Sequence, residues 1–136
     1  MEPLIIPGKR NTPSIWFDPS IDRFEMSGTS IPENANEFFR PVFNWLAANL
    51  PHLKDGSIFH FHFSYFNSTS LKAIFQVLRQ LKEASVMGPK LEVRWYVEED
   101  DEFMSDAAEM YMQLLDFKMQ VVTAPFDGDQ RERRAS

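Results

Sequence analysis

Four consecutive residues, Asn67-Ser68-Thr69-Ser70, put three hydroxyls and one amide in one place. They follow an aromatic and β-branched run that contains Ile58, Phe59, Phe61, Phe63, Tyr65 and Phe66. Behind them Leu71, Ile74, Phe75, Leu78 and Leu81 recur at spacings of three and four, the period of a helix. The spacing therefore predicts a strand that feeds a helix through a very short connection. Hydroxyls at such a junction have two uses. They can cap the backbone N–H groups that a first helical turn leaves without partners. They can also carry a phosphate, because the same N–H groups and the helix dipole favour an anion. A phosphate would bring roughly −1.5 to −2 charges to the spot. Capping is the commoner use, and the two are compatible.

Other residues could do chemistry. His60 and His62 are two apart, so on a strand they share one face. Such a pair can ligate a metal when a third ligand is supplied. No third is evident, since His52 follows Pro51 in a loop; two packed or surface histidines are the plainer reading. The run Glu98-Glu99-Asp100-Asp101-Glu102 could hold magnesium through carboxylates. It also sits where a helix begins, where negative charge is stabilising. Trp95 and Tyr96 could form a recognition patch. As strand neighbours they face opposite sides, so at most one is exposed, and core packing is the plainer use. There is no glycine-rich phosphate loop and no Ser/His/Asp or Cys/His arrangement with supporting context. An enzyme reading is left with a metal-dependent hydrolase built from His60, His62 and the acidic run. Nothing else reads as an active site, and no cofactor is implied.

Composition narrows the classes further. A chain of 136 residues with 43% hydrophobic residues, 13 of its residues Phe, suffices for one domain with a sizeable core. Acidic residues outnumber basic ones by 20 to 14, for a net charge of −6, which argues against nucleic acid as a ligand. The absence of cysteine excludes disulfides, thiol catalysis and cysteine-based zinc sites. The start, MEPLIIPGKR, lacks the layout of a signal peptide. No apolar run reaches the length of a membrane span. A cytoplasmic protein without membrane insertion is expected.

The elements that must position these residues follow in order. Residues 1–12 carry Pro3, Pro7 and Gly8 and read as an extended arm with no core of its own. Residues 14–18 and 23–28 read as a hairpin that turns from Asp18-Pro19-Ser20. After a junction at 29–36, Phe38, Phe39, Val42, Phe43, Trp45, Leu46 and Leu50 predict a helix, with Glu33 and Glu37 near its start. Pro41 removes one hydrogen bond and should kink this helix or delay its true start. Leu50-Pro51 ends it. Gly88-Pro89 closes the second helix, and residues 90–97 read as a strand. Phe103, Met104, Ala107, Ala108, Met110, Tyr111, Leu114 and Leu115 suggest a third helix. Residues 118–124 read as a last strand, and 125–136 as a disordered tail. The order ββαβαβαβ implies an α/β domain over 13–124. Its sheet is mixed and mostly parallel, with right-handed crossovers.

Four stretches carry a likeness to a known family: Thr12-Pro13-Ser14-Ile15, residues 28–34 (GTSIPEN), residues 65–72 (YFNSTSLK) and residues 93–99 (VRWYVEE). On these the chain resembles the SiaC family of bacterial regulatory phosphoproteins, small domains related in shape to anti-sigma-factor antagonists (STAS-like). The likeness covers about residues 6–124. The second and third stretches are specific together and weak alone. What the resemblance implies is a switch and not an enzyme. Such a protein is phosphorylated by a Ser/Thr kinase and dephosphorylated by a PP2C-type phosphatase. Its unphosphorylated form binds a diguanylate cyclase and raises cyclic-di-GMP synthesis, with biofilm formation and aggregation as outputs. The family's acceptor is the threonine directly after the asparagine of its YxNT motif. That position is Ser68 here, after Asn67, and Thr69 is the alternative. The junction and its helix are themselves expected to dock the partner, through Asn67, Ser68, Thr69, Ser70, Lys72 and Arg79. A STAS-like module serving a different output protein is the competing reading.

Overall fold

Strict alternation sorts the central strand into two faces. The computed structural model describes residues 1–124, so the tail expected at 125–136 lies outside the described residues. In β4, Ser57–Phe66, the side chains of Phe59, Phe61 and Phe63 are buried while Ile58, His60 and His62 are half-buried. The same alternation runs through β2, Ser14–Asp18, and β5, Leu91–Glu98. The remaining strands are β1, Leu4–Ile6, β3, Arg23–Ser30, and β6, Gln120–Ala124. The helices are α1, Ala35–Asn49, α2, Ser68–Met87, and α3, Glu102–Leu115.

The six strands lie in sequence order across one sheet. β1, β2 and β3 pair antiparallel, and β3 to β6 pair parallel. The mixed, mostly parallel α/β architecture is the one the sequence implies. Each parallel step moves one strand over in the same direction. Right-handed crossovers then place all three helices on one face. The opposite face carries no helix layer among the described residues.

The core fills the space under the helices and is largely aromatic. Phe24 stacks on Phe59 at 4.7 Å between ring centroids, and Phe17 meets Phe59 edge-on at 5.4 Å. Trp95, in ring contact with Phe61 and Phe63, meets Tyr111 of α3 at 5.7 Å. Two buried polar handles fix the helices. The Trp95 indole donates to the Met104 carbonyl at 3.1 Å, and the Tyr111 hydroxyl donates to the Leu71 carbonyl at 2.7 Å. Burial pushes the Tyr111 phenol well above its ordinary pKa, so it stays a neutral donor.

Two expectations are corrected. The stretch at 1–12 is no coreless arm: Leu4–Ile6 is a sheet strand, and Leu4 and Ile6 pack against the core. The Trp45 indole also donates to the Glu2 carbonyl at 2.7 Å, tying this segment to α1. A strand of three residues is too short for periodicity to reveal. Nor does Pro41 delay the helix start. Asn34 caps α1 by accepting the Glu37 N–H at 3.1 Å, and Pro41 lies in the helix interior. Pro41 and Glu37 are both exposed, so water can serve the Glu37 carbonyl that the proline leaves unbonded.

Deleting residues 1–6 should lower stability by about 3 kcal/mol. Two half-buried aliphatic side chains contribute about 1 kcal/mol each, and the Trp45 hydrogen bond about 1 kcal/mol. Urea unfolding followed by circular dichroism measures the loss; an unchanged midpoint would make β1 a bystander.

Candidate functional site

The site starts from a slip in register. Gly28 of β3 pairs with Phe63, but the next residue, Thr29, pairs with Tyr65, so Ser64 is an extra residue in β4. Gly28 has a φ of +102°, a conformation that a side chain would strain. An extra residue reverses the alternation beyond it. Without the slip, Tyr65 would follow Phe59, Phe61 and Phe63 into the core. With it, Phe66 takes the buried position and Tyr65 is 51% exposed.

Beyond the slip, β3 and β4 end together and α2 starts at once. The Asn67 N–H donates to the Ser30 carbonyl at 3.2 Å. Asn67 is the N-cap of α2, and its side-chain oxygen accepts the Ser70 N–H at 3.0 Å. It also accepts the Thr69 hydroxyl at 3.0 Å. The Ser70 hydroxyl lies 2.8 Å from the Ser30 hydroxyl, and both residues are 0% exposed. Residues of GTSIPEN and YFNSTS therefore form one hydrogen-bonded unit.

The three hydroxyls are not equivalent. Ser70 is sealed in the core and bonded to Ser30. Thr69 is exposed but engaged by Asn67. Ser68 is exposed, and none of the junction's hydrogen bonds uses its hydroxyl. It occupies the first position of α2, whose first turn holds no acidic residue. The first turns of α1 and α3 hold Glu37 and Glu102. Negative charge on Ser68 would thus meet an uncompensated helix dipole.

Lys72 is exposed one turn further along the stripe that carries Ser68. Arg79 follows the same stripe roughly three turns, about 16 Å, along the axis. Its guanidinium faces Glu83 at 3.7 Å. The fold therefore brings Asn67, Ser68, Thr69 and Lys72 to one surface and sets Arg79 apart, while Ser70, expected on the same surface, is 0% exposed beneath it and out of a partner's reach. One aromatic neighbour escapes a reading by sequence. Phe103, 46% exposed, packs on Tyr65 at 5.8 Å and on Phe66 at 5.3 Å. It sits at the edge of the buried stripe Met104, Ala107, Ala108 and Tyr111. Periodicity assigns Phe103 to the core, and only the position of β4 leaves it at the surface. The other candidates have structural duties. Asp101 caps α3 by accepting the Met104 N–H at 3.1 Å, and Glu102 opens that helix. Trp95 is buried and Tyr96 is half-buried on the opposite face. His60 Nδ1 lies 2.8 Å from the Tyr96 hydroxyl, and His62 Nε2 lies 3.6 Å from Glu98 Oε1. Among the described residues no three His, Cys, Asp or Glu side chains are placed to hold a metal.

Removing the Ser30 hydroxyl by Ser30→Ala leaves that of Ser70 buried and unmatched, at a cost of about 1–3 kcal/mol. The double variant Ser30→Ala/Ser70→Ala should cost less than the two single changes summed, with a coupling of about 1 kcal/mol or more. A double-mutant cycle in urea reads this directly, and strict additivity would show that the two hydroxyls act independently.

Comparison with known proteins agrees with this fold. The sequence profile of the SiaC family regulatory phosphoprotein matches residues 6–124. An uncharacterised protein of Pseudomonas aeruginosa (strain UCBPP-PA14) is 32% identical over 111 residues, which cover 82% of this chain and 88% of that protein. The structure of SiaC of Pseudomonas aeruginosa superposes with a TM-score of 0.78 at 28% identity, covering 93% of this chain and 100% of its own. A second match comes from the crystal structure of the diguanylate cyclase SiaD in complex with its activator SiaC, from the same organism. Its TM-score is 0.80 at 30% identity, covering 89% of this chain and 99% of the matched one. With the profile spanning nearly all the described residues, the chain belongs to the SiaC family of regulatory phosphoproteins.

Proposed function

We propose that this protein is a non-enzymatic activator of a diguanylate cyclase in the cytoplasm, gated by phosphorylation of Ser68. The observation that carries the choice of residue is the division of labour at the junction. Of its three hydroxyls, Ser68 alone is both exposed and uncommitted. The choice of partner rests on the likeness to SiaC, which is seen in complex with a cyclase that it activates.

The docking surface in this reading is the start of α2 with Lys72, extended by the exposed rings of Tyr65 and Phe103. Arg79 serves its outer edge. A Ser/Thr kinase transfers the γ-phosphoryl group of ATP to Ser68 Oγ, the hydroxyl proton is lost and ADP leaves. A PP2C-type phosphatase hydrolyses the ester. The phosphate is tolerated by the free chain, because it sits at a helix N-terminus. Under a docked partner it becomes a desolvated charge at the centre of the interface. That costs roughly 2–5 kcal/mol, or about thirtyfold to several thousandfold in Kd.

Calorimetric titration of the cognate cyclase tests the gate. Ser68→Ala should bind like the unmodified chain, and Ser68→Asp should bind at least tenfold more weakly. Equal affinities would sink the electrostatic mechanism. Phosphosite mapping of protein from cells in two growth conditions tests the acceptor. Occupancy should change on Ser68 and persist in a Thr69→Ala variant. Phosphate found on Thr69 instead would move the switch by one residue, and none on either would leave a constitutive binding module.

A further inference from the structure

The start of α2 carries the opposite charge to the one its dipole favours. A helix N-terminus is stabilised by anions and opposed by cations. The first turns of α1 and α3 conform, with Glu37 and Glu102. The first turn of α2 holds no acidic residue, and the first carboxylate along the helix is Glu83. Its first charged residue is Lys72, one turn in. Lys72 is exposed, and among the described residues no ion pair uses its ammonium. Helix stability therefore gives no reason for a cation at this position.

The backbone sets what Lys72 can reach. Side chains on a helix lean toward its N-terminus, so a long stem at Lys72 extends toward the residue four positions earlier, Ser68. An anion placed N-terminal to a lysine at this spacing is the favoured order of an i, i+4 pair. Arg79 cannot take the same part. It lies about 16 Å from Ser68 along the axis, and its guanidinium already faces Glu83. The turn itself is held on its other side, by the Asn67 cap and by the contact of Ser70 with Ser30. A charge added at Ser68 therefore meets Lys72 without any rearrangement of the backbone.

We propose that Lys72 is the residue through which phosphorylation acts: a phosphate on Ser68 pairs with its ammonium and withdraws that cation from the docking surface. This rests on the reading of Ser68 as the acceptor and adds the element that reads its state. The modification changes the surface twice. It adds a dianion, and it occupies the cation that a carboxylate of the partner would otherwise meet.

The pair is tested in the full chain with phosphoserine genetically encoded at position 68, so that neither kinase nor cyclase is needed. Phosphorus NMR follows the second ionisation of the phosphate, which falls at roughly pH 6 in a free phosphoserine. A neighbouring ammonium favours the dianion, so the midpoint should lie about 0.3 unit lower with Lys72 than in Lys72→Gln. Arg79→Gln removes the same charge beyond screening distance and should leave the midpoint in place. Both changes put a good helix former at an exposed position. Equal midpoints in the parent and Lys72→Gln, or equal displacements in the two variants, overturn the pair. Calorimetric titration of the unmodified chain with the cognate cyclase tests the withdrawal. Lys72→Gln should raise Kd about fivefold or more, and an unchanged Kd would show that the captured cation takes no part in docking. An unmodified parent chain that binds no cyclase would overturn the activator reading instead, and the phosphorus titration would still decide the pair.

Discussion

Parallel pairing of β3 with β4 brings both strands to the same edge of the sheet, and the rest of the junction depends on that. Because the strands run together, Ser30 arrives beside Phe66, and the Ser30 carbonyl can accept the Asn67 N–H. The Ser30 hydroxyl then meets that of Ser70 in the core. These two contacts tie the first turn of α2 to the end of a neighbouring strand. They also leave Ser68 turned toward solvent with nothing to hold it. A helix start anchored on its buried side and uncommitted on its outer side suits a site that must accept a group without unfolding.

The one-residue slip at Gly28 and Thr29 has a second effect on the same edge. It exchanges Tyr65 for Phe66 in the core, so an aromatic ring emerges beside the helix start. Phe103, from the first turn of α3, meets that ring. Three parts of the chain, β4, α2 and α3, thereby contribute to one surface. In the proposed function its apolar members favour association by burial, and a dianion on its single uncommitted hydroxyl would oppose it. Attraction that is spread over an area can be offset by charge at one point, since desolvating an unpaired charge costs more than a few contacts contribute.

Much of the architecture is legible in the sequence because it rests on periodicity. The alternating Phe59, Phe61 and Phe63 mark the central strand, and the three-and-four spacing from Leu71 marks the helix after it. The hairpin is marked by Asp18-Pro19-Ser20. Where local signals were too short or pointed the wrong way, they failed. Leu4–Ile6 offers only three residues and joins the sheet because Leu4 and Ile6 pack against the core. Pro41 reads as a kink or a delayed start, yet Asn34 caps the helix ahead of it and the proline faces water.

The candidate site divides along the same line. Residue types alone place a capping asparagine and three hydroxyls between a strand and a helix, since that reading needs only neighbours in the chain. Which hydroxyl is buried, which is bonded and which is open depends on Ser30, forty positions away. The exposure of Tyr65 depends on a register slip against β3, and that of Phe103 on where β4 ends. That the described residues place helices on one sheet face alone follows from three crossovers of one hand in one direction. Local order was set by the spacing of side chains along the chain. Accessibility was decided only by tertiary structure, because it depends on what residues remote in sequence cover.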